Sequence, residues 1–121
     1  MATLKELRDE RLRKLEELKS LGVNPYPAHS HRTDMAGTVA DNFDTYDGKE
    51  VTVAGRVVSI RKFGKIAFIV IKDVSGELQL FLIDGKVHEL DPGQSQLGLA
   101  QLNLLDSGDF IQATGNVIKT Q

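Results

Sequence analysis

Cysteine is absent from the chain, which excludes a disulfide framework and any cysteine-based zinc site. The absence fits a reducing compartment. Also missing is any uninterrupted apolar run approaching the ~18 residues of a membrane span. Charged residues interrupt the N-terminal leucines throughout, so a signal peptide is not predicted either. Net charge is nearly absent: -2 over 121 residues gives no global attraction to polyanions, and any nucleic-acid contact has to come from a local basic patch. Low-complexity segments and internal repeats are lacking. So are the patterns that carry catalysis: a Ser/His/Asp arrangement, a cysteine nucleophile, a phosphate-cradling glycine loop, or a carboxylate cluster suited to metal. Asp84, Glu89 and Asp91 lie in a loop-like stretch and read as solubilising. These absences predict a soluble, cytoplasmic domain with no active site, no metal and no cofactor of its own.

What is present begins with a helix. Residues 3–21, TLKELRDERLRKLEELKSL, place Leu4, Leu7, Leu12, Leu15, Leu18 and Leu21 in one stripe. Thr3 and Glu6 have capping-box spacing. Gly22 stops the helix, and Pro25 and Pro27 forbid its continuation. Its other face mixes Arg8, Arg11, Arg13 and Lys14 with Asp9, Glu10, Glu16 and Glu17. That mixture reads as a solvated face laced with ion pairs, or as arginines tracking a phosphate backbone. An extended connector, NPYPAHSHRTD, holds His29 and His31. Without cysteine or clustered carboxylates nearby, the pair reads as loop rather than metal site. Met35, Val39 and Phe43 recur every four residues and predict one short helix, closed by a turn at YDGKE.

From Val51 the hydrophobic period changes to two. VTVAGRVVSI is predicted as a first strand with Val51, Val53, Gly55 and Val57 on one face, and Gly55 marks a bulge or sharp bend. RKFGK reads as a loop, IAFIVIKD as a second strand, DVSG as a turn and ELQLFLI as a third strand. A helix is predicted near Gln96–Leu105, then a fourth strand, FIQATGNVIKT, with Ile111, Ala113 and Val117 inward. Three strands in meander order, a helix and a further strand make most of an OB-fold, a five-stranded Greek-key barrel that binds nucleic acid on its second and third strands. The expected class is therefore mainly β with a helical N-terminal extension, residues 1–48 forming helix and connector and residues 49–121 a truncated barrel. The fifth strand is expected to be missing.

If Ala67, Ile69 and Ile71 face the core, Phe68 faces out; if Leu78, Leu80 and Leu82 do, Gln79 faces out beside it. A ring to stack on and an amide to read an edge are what recognition of a base requires. Arg61, Lys62 and Lys65 in the first loop, with Arg56 on the first strand, supply cations for phosphates. Residues 49–83 carry six basic and three acidic side chains, a local +3. The competing reading buries the second strand on both faces and makes Phe68 core.

Three stretches, RLRKLEELKSLGVNPYP, VTVAGRVVSIRKFGKIAFIVIKDVSGELQLFLI and SGDFIQATGNVIKT, resemble in order the N-terminal anticodon-binding region of class II lysyl-tRNA synthetases. The helix followed by LGVNPYP is the most family-specific part; the barrel pattern is shared with aspartyl- and asparaginyl-tRNA synthetases. The resemblance implies that Phe68 stacks on the central anticodon uridine and that Gln79 and Arg61 contact that base. It implies tRNA as the partner and a parent enzyme that is a lysine–tRNA ligase and a homodimer. ATP and magnesium are then expected only in a catalytic domain outside these residues, and the chain alone is not expected to aminoacylate. The segment between the third and fourth strands matches the family pattern poorly. Other readings are the same barrel from an aspartyl or asparaginyl enzyme, a free-standing single-strand-binding OB protein, and a protein-interaction domain.

Overall fold

Strand formation sets in where apolar residues begin to alternate. The computed structural model describes residues 3–23, 32–83 and 96–118. In it, β1 (Glu50–Phe63), β2 (Ile66–Asp73), β3 (Gly76–Ile83) and β4 (Phe110–Asn116) form one antiparallel sheet in the order β3-β2-β1-β4. The inner face follows the predicted alternation. Val51, Val53 and Val57 of β1 and Ala67, Ile69 and Ile71 of β2 are buried. Leu82, Leu80 and Leu78 of β3 stand opposite Ala67, Ile69 and Ile71 and are half-buried. The mainly β, OB-type architecture is thus the one expected, and among the described residues the sheet has four strands and stays open.

β1 is long because it serves two partners. Its first half, Glu50 to Arg56, pairs with β4, and its second half, Arg56 to Phe63, pairs with β2. Serving both requires a bend, and the register shifts between Val57 and Ser59, a bulge that increases local twist. This corrects the expected position of the bulge, Gly55. That glycine instead allows a close approach of two strands. A Cβ there would sit 2.8 Å from the Lys72 carbonyl oxygen, so the curled sheet needs its bare backbone. The predicted loop at 61–65 is also corrected. β1 continues through Phe63, and the β1–β2 hairpin turns on Gly64 and Lys65, with Gly64 at φ 59.

Helix α1 spans Leu4–Ser20 and is capped as expected, the Thr3 hydroxyl accepting the Glu6 N–H at 3.1 Å. The single helix predicted around Met35, Val39 and Phe43 is two: α2 (Ala36–Asp41) and α3 (Phe43–Tyr46), broken at Asn42, whose φ of -124 is not helical. The helix predicted near Gln96–Leu105 is a shorter 3-10 helix, Leu99–Leu104.

The chain divides into two compact units, residues 29–83 with 106–121, and residues 1–28 with 84–105. The segment from 32 to 48, expected to belong with the N-terminal extension, packs in the unit that holds the sheet. Thr33 and Asp34 donate backbone N–H bonds to the Thr52 carbonyl at 2.8 and 3.2 Å, and the Thr33 hydroxyl accepts from the Thr52 N–H at 2.8 Å. In the other unit, α1 and the 3-10 helix are in contact, and Val23, Leu102 and Leu104 are buried. The connector histidines and the carboxylates Asp84, Glu89 and Asp91 lie outside the described residues.

Candidate nucleic-acid interface

Alternation on β2 that buries Ala67, Ile69 and Ile71 turns Phe68, Val70 and Lys72 to the other face. The register then fills that face. Phe68 stands between Arg61 on β1 and Phe81 on β3; Val70 stands between Ser59 and Gln79; Lys72 stands between Arg56 and Glu77. Phe68, Gln79 and Arg61 therefore share one face, as the alternation predicts, with Gln79 one row along from Phe68. Arg61 and Gln79 are exposed and Phe68 is half-buried.

Half-burial of Phe68 comes from neighbouring rings on this outer face, while its backbone neighbours Ala67 and Ile69 fill the core. The Phe81 ring lies 4.9 Å away centroid to centroid, and the Phe63 ring 6.3 Å away, edge-on. The Arg61 guanidinium sits 5.9 Å from the Phe68 ring centre, within cation–π range. The open aromatic therefore belongs to a cluster of three rings with an arginine at its border. Such a surface offers flat apolar area, an amide and a cation together.

The cations divide by face. Arg56, Arg61 and Lys72 lie on the face of Phe68, with Glu77 opposite Lys72. Lys62 pairs with the inward Ala67, so its side chain leaves from the opposite face. The expectation that Arg61 and Lys62 lie in a loop is corrected: they sit on a strand, where consecutive residues point to opposite sides. Lys65 is in the hairpin turn.

Two features escaped the sequence reading. Phe110 begins β4 opposite Arg56, is 72% exposed, and carries the Arg56 guanidinium 4.8 Å above its ring. Its outward direction was implicit in the inward assignment of Ile111. The second feature is the way the β2–β3 turn is held. Asp73 Oδ2 accepts the Ala36 N–H at 2.7 Å, the Ser75 hydroxyl accepts the Gly37 N–H at 2.8 Å, and Asp73 Oδ1 accepts the Ser75 N–H at 2.8 Å. Partial burial pushes the Asp73 carboxyl up, and bonds from the Ser75 hydroxyl and from the Ala36, Ser75 and Gly76 N–H groups outweigh it, leaving its pKa below the usual value. No local signal near Ala36 reveals a cap supplied from 37 residues away.

On α1 the Arg13 guanidinium bonds Glu10 at 2.6 Å and Glu17 at 3.0 Å, as the ion-paired reading of that face expects. Among the described residues no group of three or more His, Cys, Asp or Glu side chains is placed to hold a metal, and no helix is long and apolar enough to cross a membrane.

Comparison with known proteins places this geometry. Over 121 aligned residues the chain is 39% identical to the lysine–tRNA ligase of Carboxydothermus hydrogenoformans, covering 98% of this chain and 23% of the relative. It is 40% identical to that of a Roseiflexus species, covering 98% and 24%, and 40% identical over 113 residues to that of Clostridium novyi, covering 93% and 21%. The chain thus spans about a quarter of the length of these curated relatives. Among solved structures, an OBody, AM1L10, bound to hen egg-white lysozyme shares the fold, with a TM-score of 0.57 at 20% identity over 76% of this chain and 83% of that one. The family model of the OB-fold nucleic acid binding domain, tRNA anticodon type, matches residues 51–121, which hold the four-stranded sheet but for its first residue, Glu50, and the chain belongs to that family.

Proposed function

We propose that this chain is the anticodon-binding module of a lysine–tRNA ligase, with Phe68 stacking on the central anticodon uridine and Gln79 and Arg61 contacting its edge. The observation that carries the reading is the register: Arg61 and Phe81 flank Phe68 directly, and Gln79 occupies the next row of the same face. A uridine has two flat faces and one polar edge, and the three side chains match them in kind. The relatives named above, all lysine–tRNA ligases at 39–40% identity, favour lysine over the aspartyl and asparaginyl enzymes, which also read a central uridine. On this reading the longer protein is cytoplasmic and homodimeric, and the catalytic domain that uses ATP and magnesium lies elsewhere in it.

The test is binding of an anticodon stem-loop with central uridine and of its central-cytidine variant. Phe68→Ala weakens binding of the first by about 1–3 kcal/mol, the worth of one base–aromatic stack. Gln79→Ala narrows the gap between the two stem-loops more than it lowers affinity for an unstructured strand, since an edge contact discriminates and a stack does not. Unchanged stem-loop affinity in Phe68→Ala, at matched folded fraction, overturns the reading.

One observation favours a second reading. Phe63 and Phe81 beside Phe68 form a broader aromatic surface than one uridine needs, as in sequence-tolerant single-strand binders. Equal affinity for the two stem-loops and for homopolymers supports that reading against the first.

A further inference from the structure

We propose that Phe110, with Arg56 stacked over it, is a second base platform, which takes another nucleotide of the strand whose base lies on the Phe68 cluster. The inference rests on the nucleic-acid reading above and extends it to a part of the sheet outside the Phe68, Gln79 and Arg61 set.

The register places both platforms on one face. Arg56 pairs with Lys72 on one side and Phe110 on the other, and Lys72 follows Phe68 on the same side of β2. Inward neighbours confirm the direction, since Val57 is buried and Ile111 lies opposite the buried Gly55. A single exposed phenylalanine is ordinary on a protein surface. This one has a cation over its ring at 4.8 Å and a rigid mount. The Gly108 N–H bonds the Val57 carbonyl at 2.8 Å, the Val57 N–H bonds the Asp109 carbonyl at 2.7 Å, and Asp109 Oδ2 accepts the Asp106 N–H at 2.8 Å. The mount fixes the first residue of β4 against β1 before any ligand arrives. Guanidinium planes stack on bases and also bond phosphates, so Arg56 can serve either face of a bound nucleotide.

Spacing sets the ligand. From Phe68 to Lys72 is four residues along β2, and from β2 to β4 is two strand spacings, a separation of about 16 Å. That exceeds several times the ~3.4 Å rise between stacked bases on one strand. The two bases are therefore not stacked neighbours, and a strand engaging both rings carries further nucleotides between them. Lys72 and Arg56 lie along the path as phosphate partners, with Glu77 the acidic residue beside them.

The chain contains no tryptophan, so Phe110→Trp and Phe68→Trp each introduce a single reporter whose emission a stacked base quenches. The probe is an oligouridylate of about eight nucleotides, inside the ~4–16-nucleotide site of one such barrel. Both reporters are expected to quench along one saturation curve, and Phe110→Ala to weaken octamer binding by roughly 5- to 150-fold with unchanged melting. If Phe68→Trp quenches while Phe110→Trp stays bright and Phe110→Ala binds like the parent chain, the second platform is refuted and the Phe68 reading stands. If neither reporter responds and the parent chain binds neither octamer nor stem-loop, both fall.

Discussion

Phe68 is half-buried among rings and half open, and that intermediate state has a measurable consequence. A fully buried phenylalanine truncated to alanine costs ~3–5 kcal/mol. Here the ring loses only part of its transfer energy and its two aromatic contacts, so Phe68→Ala is expected to cost about 2 kcal/mol in urea unfolding. A loss in the fully buried range with unaltered binding would assign the ring to structure instead. The neighbouring cations make a sharper comparison. Arg61 borders the aromatic cluster, whereas Lys62 leaves the sheet on the opposite face. Arg61→Ala should narrow the gap between the central-uridine and central-cytidine stem-loops, as loss of a base-edge contact does, and lower the slope of log affinity against log salt as one cation leaves the interface. Lys62→Ala should leave that slope nearly unchanged, and an equal loss in both would place the strand across the hairpin end rather than on the face.

At the scale of elements, the sheet and α2 hold each other through one turn. Met35 offers α2 no side-chain cap, so the first N–H groups of the helix are satisfied by Asp73 and Ser75 of the β2–β3 turn. Asp73→Ala removes that cap and should cost about 0.5–2 kcal/mol. The depressed pKa of Asp73 sets the sign with pH. The unfolded chain holds this proton more tightly than the folded one, so the stabilisation is complete above the ordinary carboxylate range and lost as pH falls through the lower folded value. Melting followed from neutral to strongly acidic pH should show a step that Asp73→Asn abolishes. Close approach makes the same contact intolerant of bulk: a Cβ on Gly37 would lie 2.2 Å from the Ser75 carbonyl oxygen. Gly37→Ala is expected to destabilise by about 1–3 kcal/mol or more, because backbone rather than a flexible side chain must move.

Across the whole molecule, two surfaces invite association. Among the described residues β3 and β4 are the outer strands of the sheet, and an outer strand is a template for further strand pairing. On α1, Leu4, Leu7 and Leu12 are 86, 52 and 45% exposed, and no residue of that helix is buried. The 121-residue chain should therefore associate as its concentration rises, with light scattering showing a mass that grows. A mass fixed at that of one chain through the accessible concentration range would contradict this. The same scale explains the charge. The chain is slightly acidic overall, while Arg56, Arg61 and Lys72 gather on one sheet face, so on the proposed function tRNA binding by this chain is expected to be weak and to fall steeply with added salt.

Period alone determined much of this protein. Alternation from Val51 separated inward valines and isoleucines from Phe68 and Gln79, because a strand offers two faces and burial selects one. Leucine spacing and the Thr3 cap determined α1, since both act within a few residues. What the linear pattern did not contain were relations between distant backbones. The bulge after Val57, the approach of Lys72 to Gly55 and the extension of β1 to Phe63 arise because one strand must bend to serve two partners. Asn42 divides the predicted helix and Asp73 caps α2 from across the fold, and neither leaves a local signature. The face itself was legible as Phe68, Gln79 and Arg61. Alternation on β3 also turns Phe81 outward, and register then seats Phe81 and Phe63 beside Phe68, sends Lys62 to the other face and brings Phe110 to Arg56, because pairing across strands is a property of the sheet and not of any one of its segments.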